Sequence, residues 1–130
     1  MSDFSNYAEN AILSHLFRAV SLSSPATVYV ALYTAVSDAE AASGTEVSGG
    51  SYARTAVTMG APSNGVSTNS AAVTFPTASA SWGTVTHFNI MDASTSGNAL
   101  TAIKALNASK TIGSGDTAQF AIGDLSITVA

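Results

Sequence analysis

The segment TVYVALYT, residues 27–34, decides the fold because it is apolar on both faces of a strand. Side chains alternate between the faces of a strand with a period of two residues. One face carries Val28, Val30 and Leu32, and the other carries Tyr29, Ala31 and Tyr33. A strand that is apolar on both faces is covered on both sides. The segment therefore predicts a central strand with further layers of the protein above and below it.

Further short β-prone runs follow this strand, and turn signals separate them. The runs are SYARTAVTM, VSTNSAAVTF, WGTVTHFNIMD, ALTAIKAL, TAQFAI and LSITV. Within WGTVTHFNIMD, strict alternation places Trp82, Thr84, Thr86, Phe88 and Ile90 on one face. The sequence thus predicts seven or eight strands. Such a series is typical of an antiparallel β-sandwich or jelly-roll-like domain, so we expect a mainly β protein.

Residues 3–20 carry the only helical pattern, with Ser2 or Asp3 as the expected N-cap. At 3.6 residues per turn, one apolar face carries Phe4, Ala8, Ala11, Ile12, His15 and Ala19, and a second carries Leu13, Phe17 and Val20. We expect the first face to cover the β body and the second to face another chain. The predicted division is residues 1–25 for the helix and connector, and 26–130 for the β-sandwich domain.

Charge is scarce in this chain. Charged residues make up 9% of it, against about 25% in typical soluble domains. Four scattered basic residues and a net charge of -4 argue against an ordinary nucleic-acid binder. Neither a signal peptide nor 18 consecutive apolar residues are found, so we expect no membrane partner and no export. A surface so poor in charge suits a protein that is packed in an assembly.

The residues with reactive side chains form no catalytic or metal-binding motif. The chain has no cysteine, and neither His15 nor His87 has a second ligand at metal spacing. Asp92, Asp116 and Asp124 lie next to turns, where aspartate usually caps the backbone. Serine nucleophile and phosphate-loop motifs are missing. We therefore expect no enzyme activity, no cofactor and no metal.

The stretch GTEVSGGSYART, residues 44–55, allows two interpretations. In the first, the glycines shape a binding loop in which Tyr52 and Arg54 hold a ligand. In the second, the glycines turn the chain into a strand, Tyr52 packs and Arg54 pairs with a carboxylate. The second is favoured because glycines in loops mark turns more often than sites.

Several strings together resemble a known family. They are VALYTA at 30–35, GTEVSGGSYAR at 44–54, APSNG at 61–65, TFPTASASWGTVTHF at 74–88, and an ending with L-x-A-S-K and G-D-x-x-x-F. From about residue 27 onward the chain resembles small bacteriophage virion proteins commonly labelled tail-fibre proteins. Asn89 and Met91 stand where the resemblance leads us to expect glycine and an aromatic residue, so local packing there departs from the family pattern.

The resemblance implies a virion protein made in the host bacterial cytoplasm. A fibre shaft usually needs repeats and length, which this chain lacks. We therefore expect a capsid decoration (cement) protein on the outer head surface, bridging capsomers. The alternative is a tail fibre or tail-tip adaptor protein for host attachment. A carbohydrate-binding module would need an exposed aromatic platform, and Trp82 is expected in the core instead.

The expected partners are the major capsid protein, which follows from the resemblance, and further copies of this chain. Low charge, two-sided apolar strands and a two-sided helix indicate a homotrimer. The expected partner-interface residues are Leu13, Phe17 and Val20 on the helix and Glu46, Tyr52 and Arg54 in the glycine-containing loop.

Overall fold

The structure, a computed structural model, describes residues 2–129. It contains one helix, α1 (Asn6–Arg18), and the strands β1 (Val28–Asp38), β2 (Ser43–Glu46), β3 (Thr55–Val57), β4 (Val66–Thr68), β5 (Val73–Thr74), β6 (Gly83–Met91), β7 (Lys104–Ile112), β8 (Gln119–Phe120) and β9 (Ser126–Thr128). The chain is 41% strand and 10% helix, which confirms the prediction of a mainly β protein with an N-terminal helix. The described residues form nine strands, slightly more than predicted, because VSTNSAAVTF divides into β4 and β5.

Strand β1 lies at the centre of the main sheet, as its sequence predicts. This sheet is antiparallel with the order β2-β1-β6-β7, and β3 also pairs with β1. The first half of β1 pairs with β3 and the second half with β2. The other edge of β1 pairs with β6 from Tyr29–Met91 to Tyr33–His87. The remaining strands form two separate antiparallel pairs, β4 with β9 and β5 with β8.

Both faces of β1 are covered. On one face, Val30 and Leu32 belong to the main core, which also contains Phe75 and residues of β6 and β9. On the other, Ala31 and Tyr33 form a smaller cluster with Met91 and Ile103. Apolar side chains of the main sheet thus meet those of the two short strand pairs, which is consistent with a β-sandwich. The two-sided apolar pattern of TVYVALYT correctly predicted this burial.

The prediction that Trp82, Thr84, Thr86, Phe88 and Ile90 share one face is wrong in part. Trp82, Phe88 and Ile90 are buried, but Thr84 is exposed and its neighbour Val85 is buried instead. The pairing of β6 with β7 shifts register between Val85 and His87. A bulge adds residues to one strand and changes which side chains face inward, so strict alternation fails on the N-terminal side of the shift.

The N-terminal residues are tied to the β body before α1 begins. The backbone N–H of Asp3 donates to the carbonyl of Thr128 at 2.7 Å, and its carboxylate accepts from Lys104 Nζ at 2.7 Å. Phe4 forms a β-bridge with Thr101. The connector after the helix, in contrast to these N-terminal residues, is not held to the β body. Its residues 19–27 are exposed throughout and contain no strand or helix.

Candidate interaction surfaces

Within residues 2–129, the hydrogen bonds that hold helix α1 to the body lie at its N-terminus. Ser5, rather than the predicted Ser2 or Asp3, is the N-cap, and its Oγ accepts from the N–H of Ala8 at 3.1 Å. Ser5 Oγ also donates to the carbonyl of Ala99, and the N–H of Asn6 donates to the carbonyl of Glu40 at 2.9 Å. Ala8 is the one fully buried residue of the helix. No described strand packs against α1. The helix therefore contacts loops of the body, and its later turns are exposed to solvent.

The solvent side of α1 and its connector is apolar. The exposed fractions are 55% for Leu13, 65% for Leu16, 77% for Phe17, 47% for Val20 and 42% for Leu22. We call these five residues the helix patch. Leu13, Phe17 and Val20 were predicted to face outward, and the structure places them so. Their role in a partner interface stays a prediction.

Sequence reasoning missed two members of the helix patch. Leu16 lies at the i+3 position from Leu13, a spacing that places both on one helix face, and this signal could have found it. Leu22 follows the left-handed residue Ala19, which ends the helix at φ 56°, so no helical period predicts its position. The prediction that His15 and Ala19 face the β body is wrong, because both are exposed. No described strand packs against the helix, and Ala19 lies beyond its last residue.

Glu46, Tyr52 and Arg54 lie together in what we call the tyrosine corner. Arg54 Nε and Nη2 donate to the two carboxylate oxygens of Glu46 at 2.9 and 2.8 Å. Tyr52 donates its hydroxyl to Glu46 Oε2 at 2.7 Å and accepts from the N–H of Leu32 at 3.0 Å. Arg54 Nη1 donates to the carbonyls of Ala93 and Ser96. The charges and hydrogen-bonding groups of the corner are therefore used within the chain.

The two glycines before Tyr52 form a turn, as the favoured interpretation predicted. Gly49 and Gly50 have φ values of 73° and 58°, in the left-handed region that favours glycine. A Cβ on Gly50 would approach the carbonyl oxygen of Ala80 to 2.8 Å. The carbonyl of Gly50 accepts from Trp82 Nε1 at 2.9 Å, and the Trp82 ring meets the Tyr52 ring edge to face at 5.4 Å. Trp82 is buried in the core as expected, so it offers no exposed platform for a sugar.

Ionisation at the tyrosine corner follows from this packing. Burial, together with the hydrogen bond to Glu46, raises the pKa of Tyr52 far above its usual value. The hydrogen bond to Glu46 raises the pKa of Arg54. Tyr52 is thus held as a neutral phenol and Arg54 as a cation, an arrangement that fixes geometry rather than moves protons.

A second surface is the groove between β7 and β8, which has a volume of about 550 Å³ and a lining of both apolar and polar residues, Lys110 and Asp124 among them. We call it the β7–β8 groove. Its lining includes Val85, Phe88, Leu106, Ala108, Phe120 and Leu125. The groove is open because β7 bulges away from β6. Lys110 pairs with Val85, and Ala105 pairs with His87. Residues 106–109 of β7 therefore lie opposite Thr86 alone. Nothing in the sequence periodicity predicts this bulge.

The remaining candidate groups have structural roles. Asp92, Asp116 and Asp124 accept hydrogen bonds from the backbone N–H groups of Asn98, Gly113 and Ala121 at 2.7, 2.8 and 2.9 Å, which confirms that they cap turns. Residues 2–129 contain no cluster of three or more His, Cys, Asp or Glu side chains suited to a metal. Within the same residues, no helix has the length and apolar character to cross a membrane.

Comparison with known families gives one match over nearly the whole chain. The family model described as Podophage GP4 fiber I protein gp80 matches residues 3–128. The match confirms the resemblance to small phage virion proteins labelled as fibre proteins, and it extends that resemblance to the N-terminal helix. A search of curated proteins found no match.

Proposed function

Because this chain belongs to the Podophage GP4 fiber I protein gp80 family, we propose that it is a structural subunit of the phage fibre apparatus. In this role the β-sandwich is a rigid body, and the helix patch joins it to a neighbouring subunit. The family description supports a fibre protein better than the expected capsid decoration protein. The proposed role is architectural and does not involve catalysis.

The exposure of Phe17 is the observation that carries this proposal. Its side chain is 77% exposed at the end of a helix whose apolar neighbours are also in water. Covering apolar surface stabilises an assembly by about 25 cal/mol for each Å² removed from water. The β body, in contrast, already buries its aromatic residues Phe75, Trp82 and Phe88. The helix patch is thus the part of the molecule that gains most from a neighbour.

Capsid decoration remains the second candidate, and the shape of the described residues supports it. The 13-residue helix spans only about 20 Å at 1.5 Å per residue, and the strands of residues 28–128 form a β-sandwich rather than an elongated fibre. A unit of this shape could bind the major capsid protein on the assembled head. It would then stabilise the shell in proportion to its occupancy, since a ligand favours the state that it binds.

Phage carrying Phe17→Ser in this protein would separate the two candidates, with Phe17→Leu as the matched control that keeps an apolar side chain. For a fibre subunit, we expect Phe17→Ser to reduce adsorption to host cells while the temperature of DNA release stays unchanged. For a decoration protein, the release temperature falls and adsorption is kept. If the wild-type protein is missing from purified virions, both structural roles are wrong.

A further inference from the structure

We propose that two copies of this chain join through their helix patches, with the last turns of the two α1 helices packed antiparallel about a twofold axis. This inference deepens the proposed function and rests on it, because it names the neighbouring subunit that the helix patch meets. Five of the eight large apolar side chains that residues 2–129 expose belong to the helix patch. An apolar contact between copies, within this part of the chain, therefore centres on it.

The exposed apolar residues of α1 lie on one face of the helix. At 100° per residue, Leu13, Leu16 and Phe17 fall within about 100° of one another. The basic residues of the last turn, His15 and Arg18, lie about 150° from the middle of this face. The free end of the helix thus has an apolar face and a basic back, and a second helix can pack on the apolar face.

The connector widens this apolar face. Val20 and Leu22 lie beyond the end of α1, and they line a cleft together with Asn10 and Ser14 of the helix. The connector therefore runs back beside the helix. On the helix surface Asn10 and Ser14 adjoin Phe17, so Val20 and Leu22 add exposed apolar surface on the side of Phe17.

The area of the helix patch is sufficient for a contact between two copies. Its five residues are between 42% and 77% exposed, and together they offer roughly 500 Å², near the top of the range for apolar patches on monomers. A twofold contact uses the same surface on both copies, so it buries about 1,000 Å² in total, the size at which interfaces become specific. A second copy covers the helix patch with an apolar surface of equal size.

Charge also permits two identical surfaces to meet. A twofold contact brings like charges of the two copies near each other, which is unfavourable when they lie in the contact. The face formed by Leu13, Leu16 and Phe17 carries no charge. Glu9 lies one turn before Leu13, and its carboxylate accepts from Ser2 Oγ at 2.8 Å. The helix patch can therefore pack on its own copy without repulsion between like charges.

The attachment of α1 favours the antiparallel orientation. The hydrogen bonds that hold the helix to the body lie at its N-terminus, so the exposed end is the C-terminal one. Antiparallel overlap of these ends keeps the two β bodies at opposite ends of the contact and aligns the helix dipoles favourably. With the overlap centred between residues 14 and 15, Leu13 of one copy lies opposite Leu16 of the other, as apolar residues alternate between paired helices.

The first test measures the mass of the full chain by light scattering at tens of micromolar. We expect the wild type to be a dimer, with twice the chain mass of 13.0 kDa. Phe17→Ser removes the most exposed side chain of the helix patch and should halve the measured mass. Ile122→Ser is the matched control, because it removes an apolar side chain of 67% exposure from the β body and should leave the dimer intact. Circular dichroism checks that each variant is folded.

Three results of this test would overturn the proposal. A monomeric wild type is expected if a different protein covers the helix patch. A Phe17→Ser variant that stays dimeric would place the contact elsewhere. An Ile122→Ser variant that becomes monomeric would show association through the β body.

A second test addresses the orientation of the helices. Leu13→Glu and Leu16→Lys each place a charge in the apolar face, so each variant alone should be monomeric. Mixed, they should form a one-to-one heterodimer, because the introduced carboxylate lies opposite the introduced ammonium group and the two remaining leucines meet. A mixture of Leu16→Glu and Leu16→Lys is the control and should form less heterodimer, since antiparallel helices do not place position 16 opposite itself.

Heterodimers in the control mixture alone would show parallel helices and overturn the antiparallel contact. The absence of heterodimers in both mixtures would overturn the contact between helix patches. Since these measurements use isolated protein, their failure leaves the adsorption and heat measurements on phage to decide the proposed function separately.

Discussion

The tyrosine corner and the helix patch were both predicted to contact partners, and the structure places them in opposite situations. In the corner, Glu46, Tyr52 and Arg54 bind one another and nearby backbone atoms. In the helix patch, Leu16 and Phe17 expose most of their surface. An arginine beside an aromatic residue is therefore a weak sign of an interface when a carboxylate of the same chain is within reach. Apolar side chains that no element covers are a stronger one.

The comparison can be tested through stability, because only the corner should contribute to the folding of the isolated chain. The Tyr52 ring packs on Trp82 and Phe75, and its hydroxyl joins β1 to Glu46. Arg54, the residue just before β3, donates to carbonyls of the loop after β6. The corner thus holds four segments together, whereas the last turns of α1 hold none.

The largest loss of unfolding free energy is expected for Tyr52→Ala. This change removes an aromatic side chain from the edge of the core and takes the hydroxyl partner from Glu46, which costs about 3 kcal/mol of unfolding free energy. Tyr52→Phe is the control, because it keeps the ring contacts and should lose about 1 kcal/mol. Urea denaturation of the two variants measures both values. A Tyr52→Ala loss below that of Tyr52→Phe would contradict a packing role.

Arg54→Ala should have the next largest effect. The side chains of Arg54 and Glu46 are only 11% and 25% exposed, so the change leaves a largely buried carboxylate without its two charge-assisted hydrogen bonds. We expect a loss of about 2 kcal/mol. Arg54→Lys keeps the charge but not the forked geometry and should fall between the wild type and the alanine variant. An Arg54→Ala variant as stable as the wild type would show that the pair does not support the fold.

A smaller effect is expected from pH. The pKa of Tyr52 is raised in the folded state, so its contribution to stability is present below the unfolded value of about 10 and is lost as pH rises above it. The unfolding free energy should then fall by up to about 1.4 kcal/mol per pH unit for this group. Burial also raises the pKa of Tyr33, so Tyr52→Phe should reduce the slope above about pH 10 without abolishing it. Equal slopes for the wild type and this variant would contradict the pKa shift.

Sequence patterns predicted the elements whose environment depends on local periodicity. TVYVALYT predicted a central strand because the side chains on both faces of β1 are apolar and need to be buried. The turn aspartates were recognisable because an Asx cap involves only residues near in sequence. The shared face of β6 was predicted wrongly at Thr84, since the register shift that interrupts the alternation depends on how β6 pairs with β7. The β7–β8 groove could not be predicted from the sequence for the same reason. It forms where four residues of β7 lie opposite a single residue of β6.

The tyrosine corner shows a second limit of sequence reasoning. Glu46 and Arg54 are eight residues apart, with Glu46 at the end of β2 and Arg54 just before β3, so their pairing depends on the position of the Gly49-Gly50 turn. The sequence allowed both a binding loop and an internal ion pair, and only the fold distinguished them. The helix patch was more accessible to prediction because helical spacing alone aligns Leu13 and Phe17, although it cannot say what covers them. Val20 is exposed as predicted, but it lies beyond the left-handed Ala19 and not on the helix.

The smallest effect on stability is expected for Phe17→Ser, and this result would complete the comparison with the corner. The Phe17 side chain is 77% exposed, so its replacement removes almost no contact within the chain. Substitutions at such sites change the unfolding free energy by about 0.5 kcal/mol or less. The measurement is urea denaturation at protein concentrations low enough to keep the chain monomeric, because assembly itself would add stability. A loss near 3 kcal/mol, as expected for emptying a core aromatic site, would instead show that Phe17 packs inside its own chain.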